Sequence, residues 1–333
     1  MSRCPACATP ANADDRYCEK CGHHLPNRPG PDMCWLSSTG HAGACVDGRD
    51  HARVNGSCQR CGQHLVAGED RVELSLGAVA GITDRGRYRH RNEDAVAVGH
   101  TDAATAAVVC DGVSSSTRPD IAARTAVDAG IKALLDALSE GMTPQVATRS
   151  AARAAASAVV NLSDPDTRHN PPSCTYVSMV VTAADVTVGW IGDSRAYWLA
   201  HAETVESSCL TVDDTLAGQL QQAGVRMGSK ADAQATALIR WVGADASDVE
   251  PHITTFGPPE SGRVLLCTDG LSRYLSAPHD LAVAAAYGPP DVAARRLTQL
   301  ALDAGGHDNI TVVVAPFPPT GGRGPRPARA EER

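Results

Sequence analysis

Aromatic residues make up only 4% of this 333-residue chain, and just two of them are Phe. The core that a 43% hydrophobic content implies must therefore be built from Ala, Val, Leu and Ile. A basic excess is missing too: 30 Lys and Arg stand against 38 Asp and Glu, a formal net charge of −8. That balance argues against nucleic acid or an anionic membrane as a partner, since both need a basic footprint. No apolar run reaches the roughly 20 residues of a membrane span. Met1-Ser2-Arg3-Cys4-Pro5 does not open a signal peptide, so a cytoplasmic protein without membrane attachment is the expectation. The length accommodates one large domain and something small.

Cysteine is present in an uneven pattern. Cys4, Cys7, Cys18, Cys21, Cys34, Cys45, Cys58 and Cys61 crowd the first part, while Cys110, Cys174, Cys209 and Cys267 are scattered beyond it. A disulfide framework does not suit an intracellular chain, so the crowded part reads as metal ligation. Cys4-x-x-Cys7 and Cys18-x-x-Cys21-Gly22 can each place two thiolates on one tetrahedral Zn²⁺ from a tight turn. This resembles a zinc ribbon over residues 1–26, with the ion supplying most of its folding energy. Residues 27–66 resemble a second, partly degenerate ribbon. Cys58-x-x-Cys61-Gly62-Gln63-His64-Leu65 echoes Cys18 to Leu25, but upstream Cys45 has Gly48 where its partner would stand. Cys34 or His51 is the candidate fourth ligand, and a three-ligand or metal-free remnant is the alternative. Docking to another protein, or regulation, is the expected use of the ribbons.

From residue 72 to residue 317, apolar runs of strand length alternate with turn residues. Strands are expected at 78–82, 95–98, 106–110, 176–182, 186–191, 196–199, 252–256, 264–268 and 310–315. Helices are expected over about 119–138, with Pro119 in the first turn, over the Ala-rich 143–162, and over 291–304. Hairpin-linked strands with helices between them imply two antiparallel sheets face to face, helices outside. Residues 318–333, rich in Pro, Gly and Arg, are expected to be disordered.

Six acids occupy telling positions. Glu93 and Asp94 lie in Arg89-His90-Arg91-Asn92-Glu93-Asp94, and Asp111-Gly112 closes the run from Ala106. Asp193 follows Ile191-Gly192, Asp269 sits in Cys267-Thr268-Asp269-Gly270, and Asp308 in Gly306-His307-Asp308-Asn309. Most stand where an apolar run starts or stops, which gathers carboxylates from distant sequence at one end of a sheet. Oxygen donors without His or Cys suit Mn²⁺ or Mg²⁺ rather than Zn²⁺. Either Asp-Gly pair alone would signify a strand-end turn; the joint order favours a metal site.

The same contexts in the same order resemble the bacterial type of the metal-dependent type-2C (PPM) Ser/Thr protein phosphatases. The resemblance implies an α+β fold, a four-layer α/β/β/α sandwich. It implies hydrolysis of phosphoserine and phosphothreonine through a binuclear Mn or Mg site with a bridging hydroxide, on substrates of bacterial Ser/Thr kinases. Asp111 would bridge both ions and the Gly112 carbonyl would bind the second, Gly being suited to a tight turn there. Asp269 and Asp308 would complete the first ion's ligands, and Glu93 and Asp94 would act through bound waters. Asp193 would lie near a weak third metal. Arg89, four residues before Glu93, matches the family's phosphate-binding Arg, whose planar fork takes two oxygens.

Three departures stand out. Relatives commonly carry a His shortly after the Asp-Gly, a candidate proton donor; here Val113-Ser114-Ser115-Ser116-Thr117 has none and also replaces a Gly-rich loop. Relatives often have a second acid four residues after the Asp of Thr-Asp-Gly; here Arg273 stands there. A pseudophosphatase that binds phosphoproteins without hydrolysing them is therefore the alternative. A ribbon-based nucleic-acid binder is the weakest reading, because the ribbons hold few bases.

Overall fold

The structure, a computed structural model, describes residues 33–40, 64–68, 70–201, 205–224 and 235–319, plus the backbone of four two-residue strands. It divides into two compact units, Met1–Asp32 and Met33–Arg333. In the first, Ser2–Arg3 and Pro10–Ala11 pair antiparallel. The candidate zinc ligands Cys4, Cys7, Cys18 and Cys21 lie outside the described residues. So do Cys45, His51, Cys61, the side chain of Cys58 and everything after residue 319.

The second unit stacks two antiparallel sheets. One has six strands in the order His252–Phe256, Val186–Ile191, Tyr176–Thr182, Ala104–Asp111, Asp94–His100, Cys34–Ser37. The other has nine, with Arg195–Ala200, Gly262–Cys267, Ile310–Phe317, Ala80–Asp84, Arg71–Ser75 and His64–Ala67 as its main consecutive members. Helices α1 (Pro119–Ser139) and α2 (Pro144–Val160) cover the outer face of the first sheet. The helices Pro278–Ala285 and Pro290–Asp303 cover the second. The α/β/β/α layering is thus the observed architecture.

Period-two side-chain alternation explains how near-continuous apolar strands feed two cores at once. Ala106, Val108 and Cys110 face the helices, while Ala107 and Val109 face the other sheet. Small residues lie on the helix side: Ala122, Ala123 and Ala126 of α1 and Ala147, Ala151 and Ala155 of α2 are all fully buried. Close approach of helix to sheet follows, which is how a chain so poor in rings fills its interior. At Gly189 a Cβ would meet Thr148 Cγ2 of α2 at 2.3 Å.

Part of the segment expected to be a second ribbon belongs to these sheets. Cys34–Ser37 runs antiparallel to Asp94–His100, with Cys34 opposite His100 and Ser37 opposite Ala97. Ser38 extends the contact: its N–H donates to Val96 O at 2.9 Å and its hydroxyl accepts from Val96 N at 3.1 Å. His64–Ala67 pairs with Arg71–Ser75 in the other sheet. Leu36 and Leu65 join the core between the sheets. The strand Asp94–His100 would otherwise present an open row of N–H and C=O groups, and this segment closes it. Cys34, a candidate fourth zinc ligand, is a buried strand residue. The run Cys34-Trp35-Leu36-Ser37 is too short for periodicity to stand out against the cysteine pattern.

Candidate active site

The six acids gather at one end of the sandwich because each stands where a strand meets its loop. Asp94 and Asp111 face each other across adjacent strands. Asp193 follows Val186–Ile191, Asp269 follows Gly262–Cys267, and Asp308 precedes Ile310–Phe317. Both Asp-Gly pairs are fixed by backbone crowding. A Cβ on Gly112 would lie 2.6 Å from Pro119 O, and one on Gly270 would lie 1.9 Å from Asn309 O. Neither glycine has a positive φ, so close approach, not a left-handed turn, demands Gly at 112.

Hydroxyl groups hold the innermost carboxylate. Asp94 Oδ2 accepts from Thr268 Oγ1 at 2.9 Å and from Thr311 Oγ1 at 2.8 Å. Asp94 Oδ1 is buried without a hydrogen-bond partner. Asn309 ties the loops together: its Oδ1 accepts from Glu93 N at 2.9 Å, and its Nδ2 donates to Arg85 O and Arg91 O at 2.8 and 3.0 Å. Thr175 Oγ1 accepts from Asp111 N at 3.0 Å.

Two guanidinium groups rest on the cluster. Arg89 forks onto Asp308, with Nε 2.7 Å from Oδ1 and Nη2 2.8 Å from Oδ2. Its Nη1 donates to Ser114 Oγ at 3.1 Å, and Ser114 Oγ donates to Glu93 Oε2 at 2.9 Å. Arg273 Nη2 donates to Asp269 Oδ2 at 2.6 Å. Among the described residues, no three His, Cys, Asp or Glu groups close on a single point; Asp308 and Asp269 are turned onto the two arginines instead. Glu93 is engaged by Arg91 Nε at 2.9 Å. His307 sits outside this group, exposed, its Nδ1 2.6 Å from Tyr274 Oη and its ring stacked on Tyr88.

The electrostatics are those of a site short of positive charge. Burial pushes the Asp111 carboxyl well above the ordinary range, and Asp94, Asp269, Asp193 and Asp308 push it further. Burial raises Asp94 to about 7 against the two Thr hydrogen bonds, and raises Asp193 to about 7 with help from Asp269. Asp269 is raised by burial and by Asp308, opposed by Arg273. Repelling carboxylates in a low-dielectric pocket favour a bound cation. With oxygen-only donors and an orphaned Asp94 Oδ1, these residues fit hard divalent ions.

Residues 85–296 match the family model described as Protein phosphatase 2C. The chain belongs to that family. It is 31% identical over 247 residues to serine/threonine protein phosphatase PstP of Mycobacterium tuberculosis, covering 74% of this chain and 46% of that protein. It therefore spans about half the length of this curated relative. Against serine/threonine phosphatase stp of Listeria monocytogenes it is 27% identical over 240 residues, covering 70% and 92%. The crystal structure of the M. tuberculosis phosphatase PstP/Ppp superposes with a TM-score of 0.56 at 28% identity, covering 71% of this chain and 97% of that one. A crystal structure of the PstP catalytic domain in complex with two manganese ions gives 0.54 at the same identity.

Ser114, Thr268, Thr311 and Thr175 did not emerge from the sequence as site residues, although each neighbours or pairs with an acid that did. For Ser114, Thr268 and Thr311, a hydroxyl within three residues of a candidate ligand was the available signal; Thr175, far in sequence from Asp111, offered none. Arg89 is testable directly: Arg89→Ala should lower kcat/KM for a phosphothreonine peptide about thirtyfold, mainly through KM, for one lost bidentate contact of ~2 kcal/mol. Steady-state kinetics decides it, and an unchanged kcat/KM would assign Arg89 to holding Asp308 alone.

Proposed function

We propose that this chain is a metal-dependent protein serine/threonine phosphatase. Its substrates are phosphoproteins, products of bacterial Ser/Thr kinases, and its site takes two Mn²⁺ or Mg²⁺ ions. The observation that carries this is the convergence of Asp111, Asp94, Asp269 and Asp308 with the Arg89 fork laid across it. The names of the mycobacterial and listerial relatives, and the manganese in PstP, support the same reading. Asp111, Asp269, Asp308 and the Gly112 carbonyl would hold the two ions, Glu93 and Asp94 would act through water, and Asp193 would serve a weaker third position.

Bound there, two divalent ions supply Lewis acidity to a phosphoryl group and lower the pKa of water. The chain's residues supply the positioning. The Nε–Nη2 fork of Arg89, which lies on Asp308 in this structure, would be the pair of parallel N–H donors for phosphoryl oxygens, and Ser114 sets its plane by linking Nη1 to Glu93. Thr268 and Thr311 fix Asp94 by orienting its carboxylate from behind. With no His after Asp111-Gly112, protonation of the leaving serine or threonine oxygen would fall to water or to another side chain.

EDTA should abolish hydrolysis of a phosphothreonine peptide, and added Mn²⁺ should restore it. Full activity after exhaustive chelation would remove the two-metal assignment. A chain that binds phosphopeptide but never turns it over would be a phosphoprotein-binding module instead.

The thiol-rich first unit is proposed to hold Zn²⁺ through Cys4, Cys7, Cys18 and Cys21 in a cytoplasmic protein, and to dock other proteins. Soft thiolates select zinc where the carboxylates select manganese. Elemental analysis of the full chain and of one lacking residues 1–32 should differ by one zinc; equal zinc would remove the ribbon.

A further inference from the structure

Arg273 follows the short helix Asp269–Ser272, and the i,i+4 spacing brings its side chain over Asp269. Its Nη2 lies 2.6 Å from Asp269 Oδ2 and 3.8 Å from Asp308 Oδ2. The side chain is 54% exposed and, with Asp193 and Asp269, lines a cleft of about 830 Å³. Arg195, on the same wall, is already committed: its fork donates to both oxygens of Asp213 at 2.9 and 2.6 Å. Among the described residues, the carboxylate partners of Arg273 are Asp269 and Asp308 alone. Both are carboxylates that divalent ions would claim.

Arg89 approaches the same oxygen. Its Nη2 is 2.8 Å from Asp308 Oδ2, where that of Arg273 is 3.8 Å away. The two nitrogens are therefore no farther apart than the sum of those distances. One phosphoryl group, with several acceptor oxygens, spans that gap.

We propose that Arg273 is a second phosphate-binding arm, released by the metal. With Asp269 committed to a divalent ion, its carboxylate would no longer hold the guanidinium, and the freed Arg273 side chain would join Arg89 on the substrate phosphate from the cleft side. In the absence of metal the same arm neutralises Asp269 and competes with the incoming ion. This rests on the phosphatase reading for the identity of the substrate, but the arm itself is tested by binding alone.

The test is calorimetry on the full chain, wild type against Arg273→Ala and Arg273→Gln, titrated first with Mn²⁺ and then, Mn²⁺-loaded, with inorganic phosphate. Removing the competing cation should tighten Mn²⁺ binding about threefold or more, and removing the arm should weaken phosphate binding about tenfold. Arg273→Lys should recover part of the phosphate affinity, because it keeps the charge but loses the fork. Mn²⁺ and phosphate affinities both unchanged would overturn the proposal. Tighter Mn²⁺ with unchanged phosphate would overturn it as well, leaving Arg273 only a competitor for the ion. Because the side chain is half exposed, both neutral variants should melt near the wild type. Turnover of a phosphopeptide by the wild type is a separate readout: an inactive chain that still loses phosphate affinity keeps the arm and loses the enzyme.

Discussion

Asp111→Asn should abolish phosphopeptide turnover, by about a thousandfold or more, while leaving a folded protein that melts higher than the wild type in EDTA. The two effects have one cause. Asp111 is held among Asp94, Asp193, Asp269 and Asp308, and burial together with their repulsion pushes its carboxyl far up. Without metal, the folded state binds protons that the unfolded chain, with carboxyls near ~3.9, has released. That advantage is complete below about pH 4 and is lost as pH rises toward neutrality, because burial raises the Asp94 and Asp193 carboxyls to about 7 in the fold. Replacing one member removes part of the loss. A gain of about 2 kcal/mol, some ~4–8 °C in Tm, is expected at pH 7.5 in chelator. In excess Mn²⁺ the order should reverse, since the variant loses a charged ligand. Differential scanning calorimetry at pH 5 and 7.5, with and without EDTA, reads all of this. Near wild-type turnover would show that Asp111 is no ligand.

Removing residues 1–69 should collapse the catalytic unit, whereas removing residues 1–32 should leave it folded. Since every candidate catalytic residue lies beyond residue 70, the sequence makes the longer deletion look harmless. The sheets say otherwise. That deletion strips Cys34–Ser37 from one sheet and His64–Ala67 from the other, and bares the face that Leu36 covered. Burying Leu36 and Cys34 is worth about 3–5 kcal/mol. Losing the ladder bonds adds more, against a total stability of roughly 5–15 kcal/mol. Circular dichroism and phosphopeptide turnover on the two truncations decide it. A folded, active chain starting at residue 70 would show that these strands are ornamental.

The parts of the molecule legible in advance were those where local pattern and burial agree. Tyr176–Thr182, Val186–Ile191 and His252–Phe256 lie where their runs of β-branched residues placed them. The boundaries that shifted, such as Ala80–Asp84 against 78–82, are ends where pairing partners, not propensity, decide the last residue. The strands Cys34–Ser37 and His64–Ala67 were hidden because their pairing partners are distant, and because two Cys-x-x-Cys motifs nearby offered another account. Among the acids, order along the chain was enough to gather them on one end. It could not reveal which oxygen each would turn toward. Arg273 on Asp269 is a consequence of a one-turn helix that no period announces.

The strand Ile310–Phe317 lies in the middle of its sheet, between Gly262–Cys267 and Ala80–Asp84. It brings Thr311 against Asp94, and Asp308 leads directly into it. During synthesis, then, a ribosome must pass residue 311 before all six acids and the Thr311 hydroxyl that holds Asp94 exist, and must complete Ile310–Phe317 before Ala80–Asp84 finds this neighbour. A chain ended before that strand lacks the neighbour of Ala80–Asp84 and, if it stops before residue 308, one of the candidate ligands. The proposed phosphatase activity would therefore follow completion of the domain, and an unfinished product would present exposed strand edges.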